Sequence, residues 1–209
     1  MSCNRPFLMR NKEGSYVPVP CGWCLQCRID KRNEWTLRLS HEVQKSRGAF
    51  VTLTYDDLHL PDDAGLHKDD VQKFLKRLRK SLDGKKIKYY AVGEYGEQGN
   101  IITGLKRPHY HLIITGIGPL DLAPHVAKCW HFGITKTLAA ERGSIRYVLK
   151  YLDKQIHGVD AIKQEYGDKQ PPFALMSQGI GLDWMINNQD SIEYFGGVPY
   201  DGRIVPVPR

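Results

Sequence analysis

Apolar positions recur every three or four residues in some stretches of the chain and alternate with polar ones in others. These two periods set the first expectations. Val71, Phe74, Leu75, Leu78 and Leu82 share one side of a helix, lysines and arginines occupy the other, and Gly84 ends it. Trp35, Leu39 and Val43, four apart, mark a helix that runs to about Arg47, and Ile145, Val148, Leu149, Leu152 and Ile156 mark one over residues 144–156. A short helix is predicted over 124–130. Residues 49–55, 87–92, 109–115 and 134–138 are rich in β-branched and aromatic residues and read as strands. Asp56-Asp57, Pro61-Asp62-Asp63 and the Gly-rich stretch 93–100 read as loops. Beyond Ile156 the pattern weakens and ends in a turn, Tyr200-Asp201-Gly202-Arg203, and a Pro-rich tail.

Strand, helix, strand, strand, helix, strand, helix is the order of an α+β fold: a mainly antiparallel sheet with its flanking helices on one side. We divide the chain into an N-terminal Cys-containing arm and helix (1–48), a core (49–158) and a C-terminal extension (159–209), together one compact unit. There is no internal repeat and no Gly-rich phosphate loop.

Composition narrows the class. Of 209 residues, 41% are hydrophobic and 25% charged, which excludes disorder as a whole-chain description. The net charge of +7 favours a polyanionic partner, most simply nucleic acid, and the charge is clustered: Arg28, Lys31, Arg32 and Arg38, then Lys73, Lys76, Arg77, Arg79 and Lys80, then Lys85, Lys86 and Lys88. No apolar run is long enough to span a membrane and no signal peptide opens the chain. A cytoplasmic location is expected, with the five cysteines reduced.

The sharpest chemical signal is Pro108-His109-Tyr110-His111-Leu112. On a strand, side chains alternate, so His109 and His111 point one way and Tyr110 and Leu112 the other. Two imidazoles on one face can hold a divalent ion, although a bare His-x-His is more often a surface pair or a structural site. Glu94, just past the preceding strand, is the favoured third ligand, with Glu97 as its rival. Two imidazoles, one carboxylate and open positions suit Mg²⁺ or Mn²⁺ acting on a phosphate. In the helix over 144–156, Tyr147, Lys150, Tyr151 and Lys154 fall on the side opposite the apolar stripe. Each tyrosine starts a Tyr-x-x-Lys unit, and a lysine near a phenol favours phenolate and stabilises phosphate charge. An amphipathic helix whose tyrosines merely pack explains neither the doubled unit nor the histidines upstream.

These segments resemble the His-hydrophobic-His (HUH) endonuclease superfamily, and more narrowly the replication initiation proteins of microviruses of the gokushovirus branch. The resemblance rests on Phe50-Val-Thr-Leu-Thr-Tyr-Asp-Asp57, Gly93-Glu-Tyr-Gly96, Arg107-Pro-His-Tyr-His-Leu112 and Tyr147-Val-Leu-Lys-Tyr-Leu-Asp-Lys154. Pro20-Cys-Gly-Trp-Cys24, Cys27 and Met176-Ser-Gln-Gly-Ile-Gly181 extend it over nearly the whole chain. It implies a five-stranded antiparallel sheet of the HUH, ferredoxin-like type, with metal held by His109, His111 and Glu94. It implies a nucleophile at Tyr147 or Tyr151, assisted by Lys150 and Lys154; Tyr151 is preferred for the first cut, with the two tyrosines alternating. The implied activity is rolling-circle initiation: nicking of single-stranded DNA at a phage or plasmid origin, a 5′-phosphotyrosine link, and later rejoining. A host helicase and polymerase are the expected partners, and the bacterial cytoplasm the expected place. Relatives are expected to run past Val205-Pro-Val-Pro-Arg209. A transposase or plasmid relaxase of the same superfamily, and a non-catalytic nucleic-acid-binding metal protein, are the alternatives.

Cys21, Cys24 and Cys27 are spaced Cys-x-x-Cys-x-x-Cys, and Cys3 can supply a fourth ligand. Structural Zn²⁺ is the first expectation, an iron–sulfur cluster the second, and partly buried free thiols the plain alternative. Cys129, beside Trp130, is expected in the core.

Overall fold

In the computed structural model, residues 3–96, 106–154 and 156–208 are described, Lys154 by its backbone alone. A hairpin of β1 (Phe7–Arg10) and β2 (Tyr16–Val19) precedes α1 (Leu25–Ser46). Then come β3 (Gly48–Thr54), α2 (Lys68–Ser81), β4 (Lys88–Tyr95), β5 (Pro108–Thr115), α3 (Pro119–Cys129), β6 (Thr135–Ala139) and α4 (Arg142–Lys150). A 3₁₀ turn (Tyr151–Lys154) leads to α5 (Val159–Tyr166), β7 (Phe173–Met176), α6 (Leu182–Asn187), α7 (Gln189–Phe195), β8 (Val198–Tyr200) and β9 (Arg203–Val205).

The fold is α+β. Its central sheet has five strands in the order β6-β3-β5-β4-β7, every neighbouring pair antiparallel. The strand period sorts side chains onto two faces. Ala49, Val51, Leu53, Tyr110, Leu112 and Ile114 face α2 and α3, where Val71, Phe74, Leu75, Leu78, Leu122, Val126 and Trp130 close a dry core. Cys129 is buried there as the sequence suggests. Tyr90, Val92 and Ile113 face the other way, against Leu39 of α1 and Ile145, Val148 and Leu149 of α4, so helices cover both faces of the sheet and not one as expected. Fully burying each such side chain contributes about 1.5–3 kcal/mol, so both helix layers are held by the sheet.

Four local readings change. The N-terminal arm opens in a hairpin, β1 and β2 (Tyr16–Val19), whose turn is closed by Asn11 Oδ1, accepting from the amides of Glu13 and Ser15. β4 runs on through Tyr95, because Glu94 and Tyr95 pair with His109 and Pro108. The predicted helix over 124–130 begins earlier, at Pro119, where a proline suits the first turn, and it carries Pro124 inside it. The predicted helix over 144–156 stops at Lys150 and tightens into the 3₁₀ turn. Tertiary contacts hold that turn: Arg28 of α1 donates to the Asp153 carbonyl at 2.8 Å, and Arg32 forms an ion pair with the Asp153 carboxylate. The fifth strand, β7, comes from the weakly patterned stretch after Ile156.

The segment 176–181 has a structural task. Glu42, 6% exposed, accepts from the Gly181 amide at 2.8 Å and pairs with Lys88 at 3.0 Å, while Lys88 donates to the Gly179 carbonyl at 2.9 Å. Gly181 has φ +74, and a Cβ there would lie 2.9 Å from the Arg38 backbone. Glu42→Ala is expected to lower unfolding free energy by about 3 kcal/mol, the low end for one partner of a buried pair, because Lys88 keeps some solvent. Urea denaturation followed by circular dichroism measures this; a loss within about 0.5 kcal/mol, ordinary for a surface change, would refute it.

Candidate active site

The antiparallel register of β4 and β5 assembles the first part of the site. His109 pairs directly with Glu94, so both point to the α1/α4 face, and His111 follows two residues on. On the other side of β5, Thr54 and Thr52 of β3 pair with His109 and His111. His111 is buried, with Nε2 3.4 Å from Glu94 Oε1. Its Nδ1 lies 3.1 Å from Thr52 Oγ1, and Phe50 stacks on its ring at 5.6 Å. His109 Nδ1 lies 2.7 Å from the Arg107 carbonyl oxygen, which can only accept, so in the neutral tautomer that this bond selects Nδ1 carries the proton and Nε2 the lone pair. The two imidazole planes are nearly parallel, 10° apart, with centroids at 6.3 Å. Outer hydrogen bonds of this kind orient metal-binding histidines.

Helix α4 supplies the second part. Its apolar side, Ile145, Val148 and Leu149, lies on the sheet, and Tyr147 projects from its flank over His111, ring edge to ring face at 4.9 Å. Tyr147 Oη donates to Glu94 Oε1 at 3.2 Å and lies 3.5 Å from His111 Nε2. The phenol nevertheless stays 47% exposed. An open cleft of about 690 Å³ between α1 and α4 leads to it, lined by Arg32, Asn33, Thr36, Arg146, Tyr147 and Lys150.

The structure brings together Glu94, His111 and Tyr147, with His109 adjacent and Lys150 one helical turn along. Of the four residues expected on one face, Tyr147 stays 47% exposed, while Tyr151, where the helix tightens into the 3₁₀ turn, packs into the core. Tyr151 is 5% exposed, belongs to the core cluster with Tyr90 and Val92, and has its hydroxyl 3.5 Å from the Pro172 carbonyl. Burial, and after it the neighbouring Tyr151, raises the pKa of Tyr90 above the ordinary phenol range. The Lys154 side chain and Glu97 lie outside the described residues. Sequence reasoning missed Arg146 and gave no place at the site to Phe50 and Thr52, which lie in a segment that carries the resemblance, or to Arg32, which it placed only in a basic cluster. The period of two places Phe50 and Thr52 on the histidine face once β3 and β5 are paired, but the pairing itself had no signal.

The four N-terminal cysteines converge elsewhere. Cys3, Cys21, Cys24 and Cys27 have sulfurs all within 4.8 Å of one another, the one fully closed group of ligating side chains among the described residues. Backbone amides, that of Cys27 first, lower the Cys24 thiol to about 6, while burial pushes Cys27 up to about 12. His109, His111 and Glu94 do not close up in the same way: Glu94 and His111 stand 3.4 Å apart with His109 beside them, and the three do not form a group as tight as the four sulfurs.

Among known proteins, a family model for replication-associated proteins of the ORF2 type matches residues 48–156. The chain is 32% identical over 200 residues to "Replication-associated protein ORF2" of Spiroplasma virus 4, covering 83% of this chain and 59% of that protein. It is 31% identical to "Replication-associated protein VP4" of Bdellovibrio phage phiMH2K, covering 95% of this chain and 68% of that protein. It is 29% identical to "Replication-associated protein ORF4" of Chlamydia phage 1, covering 81% of this chain and 46% of that protein. The chain thus spans about half to two thirds of the length of these relatives. No solved structure matches it.

Proposed function

Because this chain belongs to the family of phage replication-associated proteins of the ORF2 type, consistent with the HUH superfamily, we propose that it initiates rolling-circle replication by nicking single-stranded DNA with Tyr147. One observation carries the assignment. The exposed Tyr147 hydroxyl stands within hydrogen-bond reach of a carboxylate and an imidazole on the metal-type face of the sheet.

His109, His111 and Glu94 fit a divalent ion by donor chemistry, two imidazoles and one carboxylate. When bound, Mg²⁺ or Mn²⁺ would supply electrophilic polarisation of the scissile phosphate. The remaining work belongs to the protein. Glu94 Oε1, which already accepts the Tyr147 hydrogen bond, is the acceptor for its proton, and His111 Nε2 is kept for the ion. The phenol oxygen forms a bond to phosphorus as the bond from phosphorus to the 3′ oxygen breaks. That oxygen takes up a proton and leaves as a 3′-hydroxyl, the end a polymerase extends, and the 5′ phosphate stays on Tyr147. One phosphodiester replaces another, so the reverse attack rejoins the strand without a nucleotide cofactor. Arg32, Arg146 and Lys150 line the approach to Tyr147 and suit the phosphates flanking the cut. No described helix is long and apolar enough to cross a membrane.

The test is incubation with labelled single-stranded origin DNA and Mn²⁺. An SDS-resistant protein–DNA adduct is expected. Cleavage with free 5′ phosphate and no adduct, or no cleavage at all, would overturn the proposal.

In this arrangement Tyr151 is a packing residue. Tyr151→Phe is expected to keep nicking and adduct formation within about threefold of the parent, because the residue is buried with its hydroxyl toward the Pro172 carbonyl. Gel assay of the variant and the parent on one oligonucleotide measures it. A Tyr151→Phe chain unable to form the adduct would mean that the 3₁₀ turn rewinds on DNA binding and carries Tyr151 to the phosphate.

A further inference from the structure

We propose that Cys3, Cys21, Cys24 and Cys27 bind a single Zn²⁺ ion as a closed tetrathiolate that fastens the N-terminal hairpin to the first turn of α1. The inference is independent of the nicking chemistry.

Four lines of geometry support it. First, Cys21 and Cys27 sulfurs are 3.9 Å apart, as are those of Cys3 and Cys24, and all four lie within 4.8 Å. Zinc–sulfur bonds of about 2.3 Å in a tetrahedron require sulfurs about 3.8 Å apart. A disulfide requires about 2.05 Å, and these pairs stand well beyond that. A four-iron cluster puts each cysteine on a different iron, which spreads the sulfurs further than one shared ion does. Second, backbone amides aim at the sulfurs: Arg5 and Cys21 at Cys3, at 3.4 and 3.3 Å, and Cys24 at Cys21, at 3.4 Å. An array of donors suits thiolates, and outer-shell donors are typical of metal-bound ones.

Third, the backbone forms the Cys21–Cys24 knuckle with little strain. Gly22 has φ +85 with open space around its missing Cβ, and Cys24 is the N-cap of α1, so the turn delivers Cys24 and Cys27 onto one side. Fourth, the hairpin needs an anchor. Phe7, Leu8, Met9 and Tyr16 are 48–71% exposed, and a lone two-stranded hairpin is marginal in water. Cys3 precedes β1 and Cys21 follows β2, so an ion shared with Cys24 and Cys27 ties both hairpin ends to the helix.

The consequence reaches the site indirectly. Within about one turn beyond Cys27, Arg28 and Arg32 hold Asp153 in the 3₁₀ turn that follows α4 and Tyr147. The ion is therefore a structural clamp and no part of the reaction.

The test uses the whole chain purified without added metal. Elemental analysis should find one zinc per chain, retained in the His109→Ala/His111→Ala variant and released by a thiol-specific mercurial. Co²⁺ in its place should give an intense sulfur-to-cobalt charge-transfer band with tetrahedral d–d bands. Stripping the ion from the parent chain should speed amide exchange in residues 3–27 at least about tenfold, as metal-linked folding requires, and leave β3, β4 and β5 unchanged. Because stripping is done on the folded parent, no cysteine variant has to fold. Less than half an equivalent of zinc, iron in its stead, a cobalt spectrum without the sulfur band, or unchanged exchange after stripping would each overturn the proposal.

Discussion

Tyr147→Phe should form no covalent adduct with single-stranded DNA and should lose nicking by on the order of 10⁴-fold or more, the scale on which enzymes lose a nucleophile. The substitution removes one oxygen. The ring keeps its edge-to-face contact with His111 and its place beside Phe50, so the fold and the cleft should persist. Two readouts separate chemistry from folding. Adduct formation on an origin oligonucleotide should vanish, while the thermal midpoint should move by no more than a few degrees, because a lost exposed hydrogen bond contributes about 1 kcal/mol. If Tyr147→Phe still forms the adduct and Tyr151→Phe does not, the nucleophile lies on the 3₁₀ turn and the arrangement seen here is a resting one.

The second large effect concerns the metal set. The double variant His109→Ala/His111→Ala should lose all Mn²⁺- and Mg²⁺-dependent cleavage yet bind single-stranded DNA within about tenfold of the parent, since affinity rests on phosphate contacts by lysine and arginine. Glu94→Ala should raise the Mn²⁺ concentration needed for half-maximal cleavage by about 10–100-fold. It should also slow cleavage at saturating Mn²⁺, because Glu94 is an acceptor for the Tyr147 proton as well. Metal titrations paired with fluorescence anisotropy on the same oligonucleotide measure both quantities. Cleavage at parental rate by the double variant would remove the histidines from the site, and a metal effect at Glu97 but not at Glu94 would replace the third ligand.

The two tyrosines show how far local pattern carries. At about 100° per residue they differ by only about 40° around an uninterrupted helix, so sequence spacing puts them together. The apolar stripe of Ile145, Val148, Leu149 and Leu152 lies just beside Tyr151, however, and a small change in helical twist turns that residue under. The partners of that turn are Arg28 and Arg32, far earlier in the chain, and Pro172, later in it. No window of sequence around the tyrosines contains that information.

By itself the sequence determined the α+β class, most of the sheet and the main helices, because those rest on periods of about 2 and 3.6 that are local. It singled out the residue types able to carry chemistry: His109 and His111 two apart on one strand, four cysteines at ligand spacing, and Tyr147 on an amphipathic helix. Tertiary structure alone decided that Glu94 is a strand residue paired with His109, that Thr52 and Phe50 complete the surroundings of His111, that β7 closes the sheet, and that Tyr147 reaches Glu94 and His111 while Tyr151 is buried. The physical reason is common to all four. Strand register, sheet order and the end of a helix are settled by contacts between segments far apart in the chain, and a local pattern that permits several pairings does not choose among them.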